Sequence, residues 1–410
     1  MAAQRFPLPS AKGTLPIADS HLFTDLIPPE AASEVTAVFR RHLEPYVGVT
    51  DDGTVRQGLY HLDDAATPPK AAVTAAETYL AGLMPHQRAV GNLPMNATEW
   101  RLWTNAIPTW HPKGMRLERL ARADRDRALA VVEASLSPAG YAGVRAAMAL
   151  NANLGELIDD YRDTLTEFAY WFTVFGTPSA TSPWGWQLMG HHVDLHCVFV
   201  AGNTVLSPVF LGAEPTTGTG RFAGVQALRD ETETALAFRR TLDADRAGEF
   251  LLGPSLRAAD LPPELADPYT GRLRTGAGRD NLVLPPEGIV AASLPADQLD
   301  GLLDLIRVYL DRLPPARAAR DLALIREHLD RTHFAWRGGH DDESAFYYRI
   351  HSPVVLIEYD NHPGVFLANP EPARYHVHTI VRAPNGNDYG HDLLAQHYRL
   401  HHGAGGERGR

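Results

Sequence analysis

Lysine is nearly absent from this chain. It occurs only as Lys12, Lys70 and Lys113, so arginine carries almost all of the positive charge. Acids outnumber bases by 49 to 38, giving a net charge of -11 and no basic excess to meet a nucleic-acid backbone. Cys197 is the single cysteine, which excludes an intramolecular disulfide, a cysteine-rich zinc site and an iron–sulfur cluster held by one chain. No run of about eighteen apolar residues exists to cross a bilayer. Residues 1–10 lack the apolar segment of a secretory signal, so the expectation is a cytoplasmic protein without a membrane partner. Gly-x-Ser-x-Gly and His-Glu-x-x-His are both missing, which removes two common hydrolase signatures.

Histidine, by contrast, is plentiful, with 19 in 410 residues. Two clusters stand out. Gly190-His191-His192-Val193-Asp194-Leu195-His196 lies in a segment that otherwise reads as a strand, and Tyr375-His376-Val377-His378 lies in another. Alternate residues of a strand share a face. His192, Asp194 and His196 are therefore expected on one side, with Val193, Leu195 and inert Cys197 toward the core. His376 and His378 likewise share a side. Neutral imidazole is the commonest protein metal ligand. The bland alternative is that these residues are satisfied core or surface polar groups.

The rest of the pattern predicts an α+β protein, largely helical, with one sheet formed by strands near 168–210 and 345–382. Residues 1–28 read as an N-terminal arm, 29–400 as a single α+β domain, and 401–410 as a disordered tail. Helices are expected near 29–45, 117–136, 137–160, 223–243, 296–313, 315–331 and 388–400. Ser137-Pro138 supplies a cap followed by proline at the first helical position. Residues 51–62 hold a short strand-like piece, and 184–200 reads as one strand. Ala201-Gly202-Asn203 reads as a hairpin turn. Trp100, Trp103 and Trp110 form a group better suited to anchoring a core than to stacking on a ligand.

Several residues near these clusters have chemistry to offer. His192-x-Asp194 with a distant His376 or His378 has the composition of a two-histidine, one-carboxylate metal triad. Glu358 and Asp360 share one parity, and either suits a ligand, an acid orienting an imidazole, or a general base. Their plainer role is to cap a turn. Arg382 suits a bidentate grip on a substrate carboxylate. Asp388 suits proton transfer or the capping of the last helix.

These stretches together resemble the domain of unknown function 3500 family. The likeness is carried by Leu136-Ser-Pro-Ala-Gly-Tyr141, Pro183-Trp-Gly-Trp-Gln-Leu-Met-Gly-His-His192, Tyr347-Tyr-Arg-Ile-His351, Ile357-Glu-Tyr-Asp-Asn361, His376-Val-His-Thr379 and Asn387-Asp-Tyr-Gly390. The resemblance implies His191, His192, His351, Glu358, His376 and His378 as the residues to watch. Asp194 and His196 depart from the family's Leu-Ser-Leu-Asn-like run, which tells against a triad built on Asp194. Ser352 stands where glycine is usual.

The combined expectation is a metal-dependent enzyme acting on a small, anionic molecule. His191, His192, His351, His376 and His378 are the candidate ligands for iron, copper or zinc. Glu358, Arg382 and Asp388 are the candidate catalytic groups. Imidazole without thiolate suits redox metals as well as zinc, and the reading leans toward an oxidoreductase. A zinc-dependent hydrolase and a non-catalytic binding protein are the alternatives.

Overall fold

A computed structural model describes residues 40–402, apart from 64, 107–112, 159–160, 267–271, 365 and 368–370. Nine α-helices and twelve strands occur among the described residues. The helices are α1 (Lys70–Gly82), α2 (Pro85–Gly91), α3 (Arg122–Ser135), α4 (Pro138–Leu157), α5 (Arg229–Thr241), α6 (Ala247–Phe250), α7 (Ala296–Leu310), α8 (Pro315–Arg326) and α9 (His391–His402). The strands are β1 (Asn92–Leu93), β2 (Met115–Arg116), β3 (Tyr170–Gly176), β4 (Trp184–Gly190), β5 (Val193–Val200), β6 (Asn203–Ala213), β7 (Leu251–Gly253), β8 (Ile289–Val290), β9 (His333–Gly338), β10 (Phe346–His351), β11 (Leu356–Pro363) and β12 (Pro372–Arg382).

Two four-stranded antiparallel meanders, β3-β4-β5-β6 and β9-β10-β11-β12, join edge to edge where β6 pairs with β12. The expected single sheet uniting the two strand regions is present, as a mixed twelve-stranded sheet. Local chemistry accounts for its hairpins. Ala201 and Gly202 both adopt positive φ (48° and 81°) between paired Val200 and Asn203. That geometry matches the right-handed twist of the flanking strands. The helix signals hold as well: Ser137 Oγ accepts from the Gly140 N–H at 2.9 Å, opening α4.

The two faces of the sheet differ in character. One face is apolar and carries the helices. Tyr79 of α1 packs edge-on against Phe172, Trp186 donates to Ser135 of α3, and Phe238 of α5 packs on Phe334. The other face carries the polar residues. It is covered partly by residues 272–280, whose backbone reaches Asp360 and Glu358, and by Trp103 and Tyr389, which pack on His196.

Three expectations need correcting. Residues 184–200 form two strands, because Gly190 pairs with Val193 and leaves His191-His192 as a two-residue turn. Residues 51–62 form no strand among the described residues; nearby Thr50 makes only an isolated bridge to Val283. Helix α1, with Ala72, Ala76, Tyr79 and Leu80 buried, arises where no element was expected. Its short alanines give a helical stripe with little hydrophobic contrast. The expected arm, the bulk of the expected 29–45 helix, Trp110 and nearly all of the tail lie outside the described residues.

Candidate metal centre

Three imidazoles meet on the polar face, at the junction of the two meanders. His376 and His378 project from β12, and His192 turns in from the β4–β5 hairpin. Their Nε2 atoms lie 3.0 Å (His376–His378), 3.2 Å (His192–His378) and 3.3 Å (His192–His376) apart. All three residues are buried, at 2–3% exposure. The turn makes this possible. His192 has φ of 64°, a left-handed conformation that releases it from the strand lattice. Opposite it, β6 presents Gly212, where a Cβ would lie 3.0 Å from both the His192 and His378 rings. The glycine leaves the space the imidazoles occupy.

A second layer of side chains surrounds the rings. His376 Nδ1 lies 3.5 Å from Glu214 Oε1, and His378 Nδ1 lies 3.8 Å from Asp360 Oδ1. His191 stacks on His192 with ring centroids 3.8 Å apart. Its own Nδ1 meets Asn151 of α4 at 2.7 Å, and Tyr170 donates to its carbonyl. His191 thus supports His192 rather than joining the three nitrogens. His362 continues the β11 face and packs on His378 with centroids 4.3 Å apart. Asp360, His362 and His378 form an adjoining set of candidate ligands.

Electrostatics favour neutral, coordinating imidazoles. Burial lowers the pKa of His192, His376 and His378 well below the usual value, and neighbouring histidines lower them further. Burial alone takes His191 down to about 3. Asp194 lies on the same side of the sheet, but belongs to neither ligand set. Burial raises its pKa well above the carboxylate range, against a backbone hydrogen bond from Gly190 that lowers it.

The other named residues lie elsewhere. Along β10 and β12, His351 and Arg382 stand four residues from the positions level with His378. That is about 13 Å of strand. His351 faces Asp51 at 3.3 Å. Glu358 accepts from Arg274 N, Thr275 N, Thr275 Oγ1 and Tyr347 Oη. Arg382 donates to Asp280 (2.7 Å), Asp388 (3.0 Å) and the carbonyls of Thr275 and Gly276. Asp388 also accepts from Ser207 Oγ and Ala383 N. Each of these three groups is engaged within the protein.

Asn151 and His362 were not singled out from the sequence, and Gly212 and Glu214 fall in the Gly- and Thr-rich segment 211–220, which reads as a loop able to border a site. His362 had a signal: it extends the period-two series Glu358, Asp360. The others contribute only through strand pairing and helix packing.

No described helix is long and apolar enough to cross a membrane. No curated protein and no solved structure matches the chain. Residues 65–391, most of the sequence, match the model of the family described as protein of unknown function (DUF3500), and the chain belongs to that family.

Proposed function

We propose that the protein is a metal-dependent enzyme whose mononuclear centre is held by His192, His376 and His378. The convergence of their three Nε2 atoms carries this reading. A tetrahedral ion with metal–nitrogen bonds of about 2.0–2.1 Å has ligand edges of roughly 3.3 Å, close to the spacing here. Three imidazole lone pairs directed at one point repel each other unless a cation or shared protons lie between them. The acids behind the rings support a cation: carboxylate–histidine–metal relays fix the tautomer and raise ligand basicity. Glu214 and Asp360 also bring negative charge to offset a dication in a medium where uncompensated charge is costly.

Three protein ligands leave coordination positions for a small substrate. The all-imidazole set suits iron and copper as well as zinc, and the oxidoreductase reading rests on that donor set. A zinc hydrolase is the second reading, since a three-histidine zinc centre lowers the pKa of bound water. Arg382 is committed to Asp280 and Asp388, so the anion-binding role expected of it loses support. His362 and Asp360, beside the cluster, are better placed to relay a proton.

The test is elemental analysis of untagged protein purified without chelator, beside His192→Gly and His378→Ala. Glycine is chosen at 192 because it accepts the left-handed backbone. About one ion per chain, lost in both variants, is the expected result. Its identity selects between dioxygen-uptake and hydrolytic assays. Metal-free, folded wild type that takes up no iron, copper or zinc on reconstitution would refute the proposal.

A further inference from the structure

The apolar face of the sheet holds a cavity of about 420 Å³ between α4 on one side and α5 and α7 on the other. It is independent of the histidine cluster and separated from it by the sheet. Its floor includes Leu195 of β5 with Val209 and Leu211 of β6. Leu211 adjoins Gly212, so cavity and cluster occupy opposite faces of the same stretch of β6. The volume falls within the range of small-molecule sites, which are typically apolar with a few placed polar groups.

Two features give this cavity a polar end. Arg312, 9% exposed, lines it and stacks on Tyr309 at 4.8 Å. Its Nη2 donates to Glu231 at 2.8 Å, whereas its buried Nη1 has no hydrogen-bond partner. A buried donor without a partner is costly, and a ligand acceptor would remove that cost. Beside it lies the N-terminus of α5, with Arg229, Asp230 and Glu231 also lining the cavity. Leu228 occupies the cap position with φ of 58° and contributes no side-chain cap. The first N–H groups of a helix have no partner within it, and the helix dipole favours an anion there.

We propose that this cavity binds a small amphipathic carboxylate. The carboxylate meets Arg312 Nη1 and the start of α5, and the apolar body lies over Leu195, Val209 and Leu211. Glu231 takes the other arm of Arg312, and Asp230 and Asp311 also line the cavity beside Arg229, so selection of an acceptor rests on the open Nη1 donor rather than on net charge.

Gly143 of α4 supplies a clean probe. It lines the cavity, and a Cβ built on it meets nothing within 4 Å. Gly143→Phe therefore fills the space while leaving the packed core alone. Binding of octanoate, octanol and octylamine to the full-length protein is measured by calorimetry, with metal content followed in parallel. Octanoate is expected to bind at least tenfold more tightly than octanol, with octylamine weakest. Gly143→Phe is expected to abolish octanoate binding with its melting transition and metal content retained. Arg312→Lys, which keeps the charge but not the forked donor, is expected to weaken octanoate about tenfold and octanol little. Equal affinity for octanoate and octanol, octanoate binding that survives Gly143→Phe, or no octanoate binding by folded protein would each overturn the proposal.

Discussion

The polar face of the sheet contains two buried polar clusters on the same strand, four residues apart, and they are built on opposite principles. Around Arg382, opposite charges and hydrogen bonds are matched. The guanidinium reaches two carboxylates and two carbonyls, and Asp280 also receives Arg101 and Tyr389. Burial pushes Asp280 upward, yet Arg382 and Arg101 hold it below the ordinary carboxylate range. Around His378, like groups converge. Three imidazole nitrogens face one another, and the buried Nδ1 atoms of His376 and His378 stand 3.5 and 3.8 Å from Glu214 and Asp360. A cluster that completes itself serves the fold. The convergent imidazoles form a group that could hold a metal ion.

That comparison can be broken at either end. The largest effect is expected from Arg382→Met, which strands Asp280 and Asp388 in the interior. It should cost about 3–5 kcal/mol of stability, read by urea denaturation. Metal per folded molecule should stay at the wild-type value; loss of metal without loss of stability would erase the distinction between the clusters. Removing metal from wild type with a chelator should cost about 3 kcal/mol if the ion is present at a hundred times its Kd. The same treatment should leave His378→Ala unchanged, as thermal melts would show.

Smaller effects sharpen the comparison. Glu214→Gln and Asp360→Asn should each weaken metal binding about 10–100-fold, measured by competition with a chromophoric chelator. An unchanged affinity in both would mean that the acids do not orient the rings. The mildest effect concerns pH. His196 accepts from Gln187 and donates to Pro208 O, and burial takes its pKa down to about 3. The unfolded chain binds a proton near pH 6.5 that the native state refuses. Stability supplied by neutral His196 is therefore complete above about pH 6.5 and declines as pH falls toward 3. Between pH 6.5 and 5 this amounts to about 2 kcal/mol. In metal-free protein, His196→Gln should flatten the decline by about that amount; an identical slope would show that His196 does not titrate as described.

Parts of this arrangement were legible along the chain. Period-two alternation put His376 and His378 on one face of a strand, and β12 realises it. Apolar Val193, Leu195 and Cys197 were assigned to the core side, where they lie. The failures share a cause. His191-His192 read as strand because nothing in the local composition marks a two-residue turn there; pairing of Gly190 with Val193 decides it. Asp194 and His192 looked like partners in one lattice, but the turn gives His192 a different trajectory. The sequence likewise does not reveal that residues 274–280 return to bond Glu358 and Arg382.

The sequence by itself determined the ingredients: a chain with a lone cysteine and hence no thiolate cluster, imidazole-rich strands, helix caps and two strand-forming regions. These depend on residue identity and short-range periodicity. The tertiary structure decided which ingredients meet. It paired β6 with β12, set Gly212 where the rings need room, and placed Glu214 and Asp360 behind them. Such contacts join positions up to 186 residues apart, as His192 and His378 are. They are fixed by strand register and packing, which no local pattern encodes.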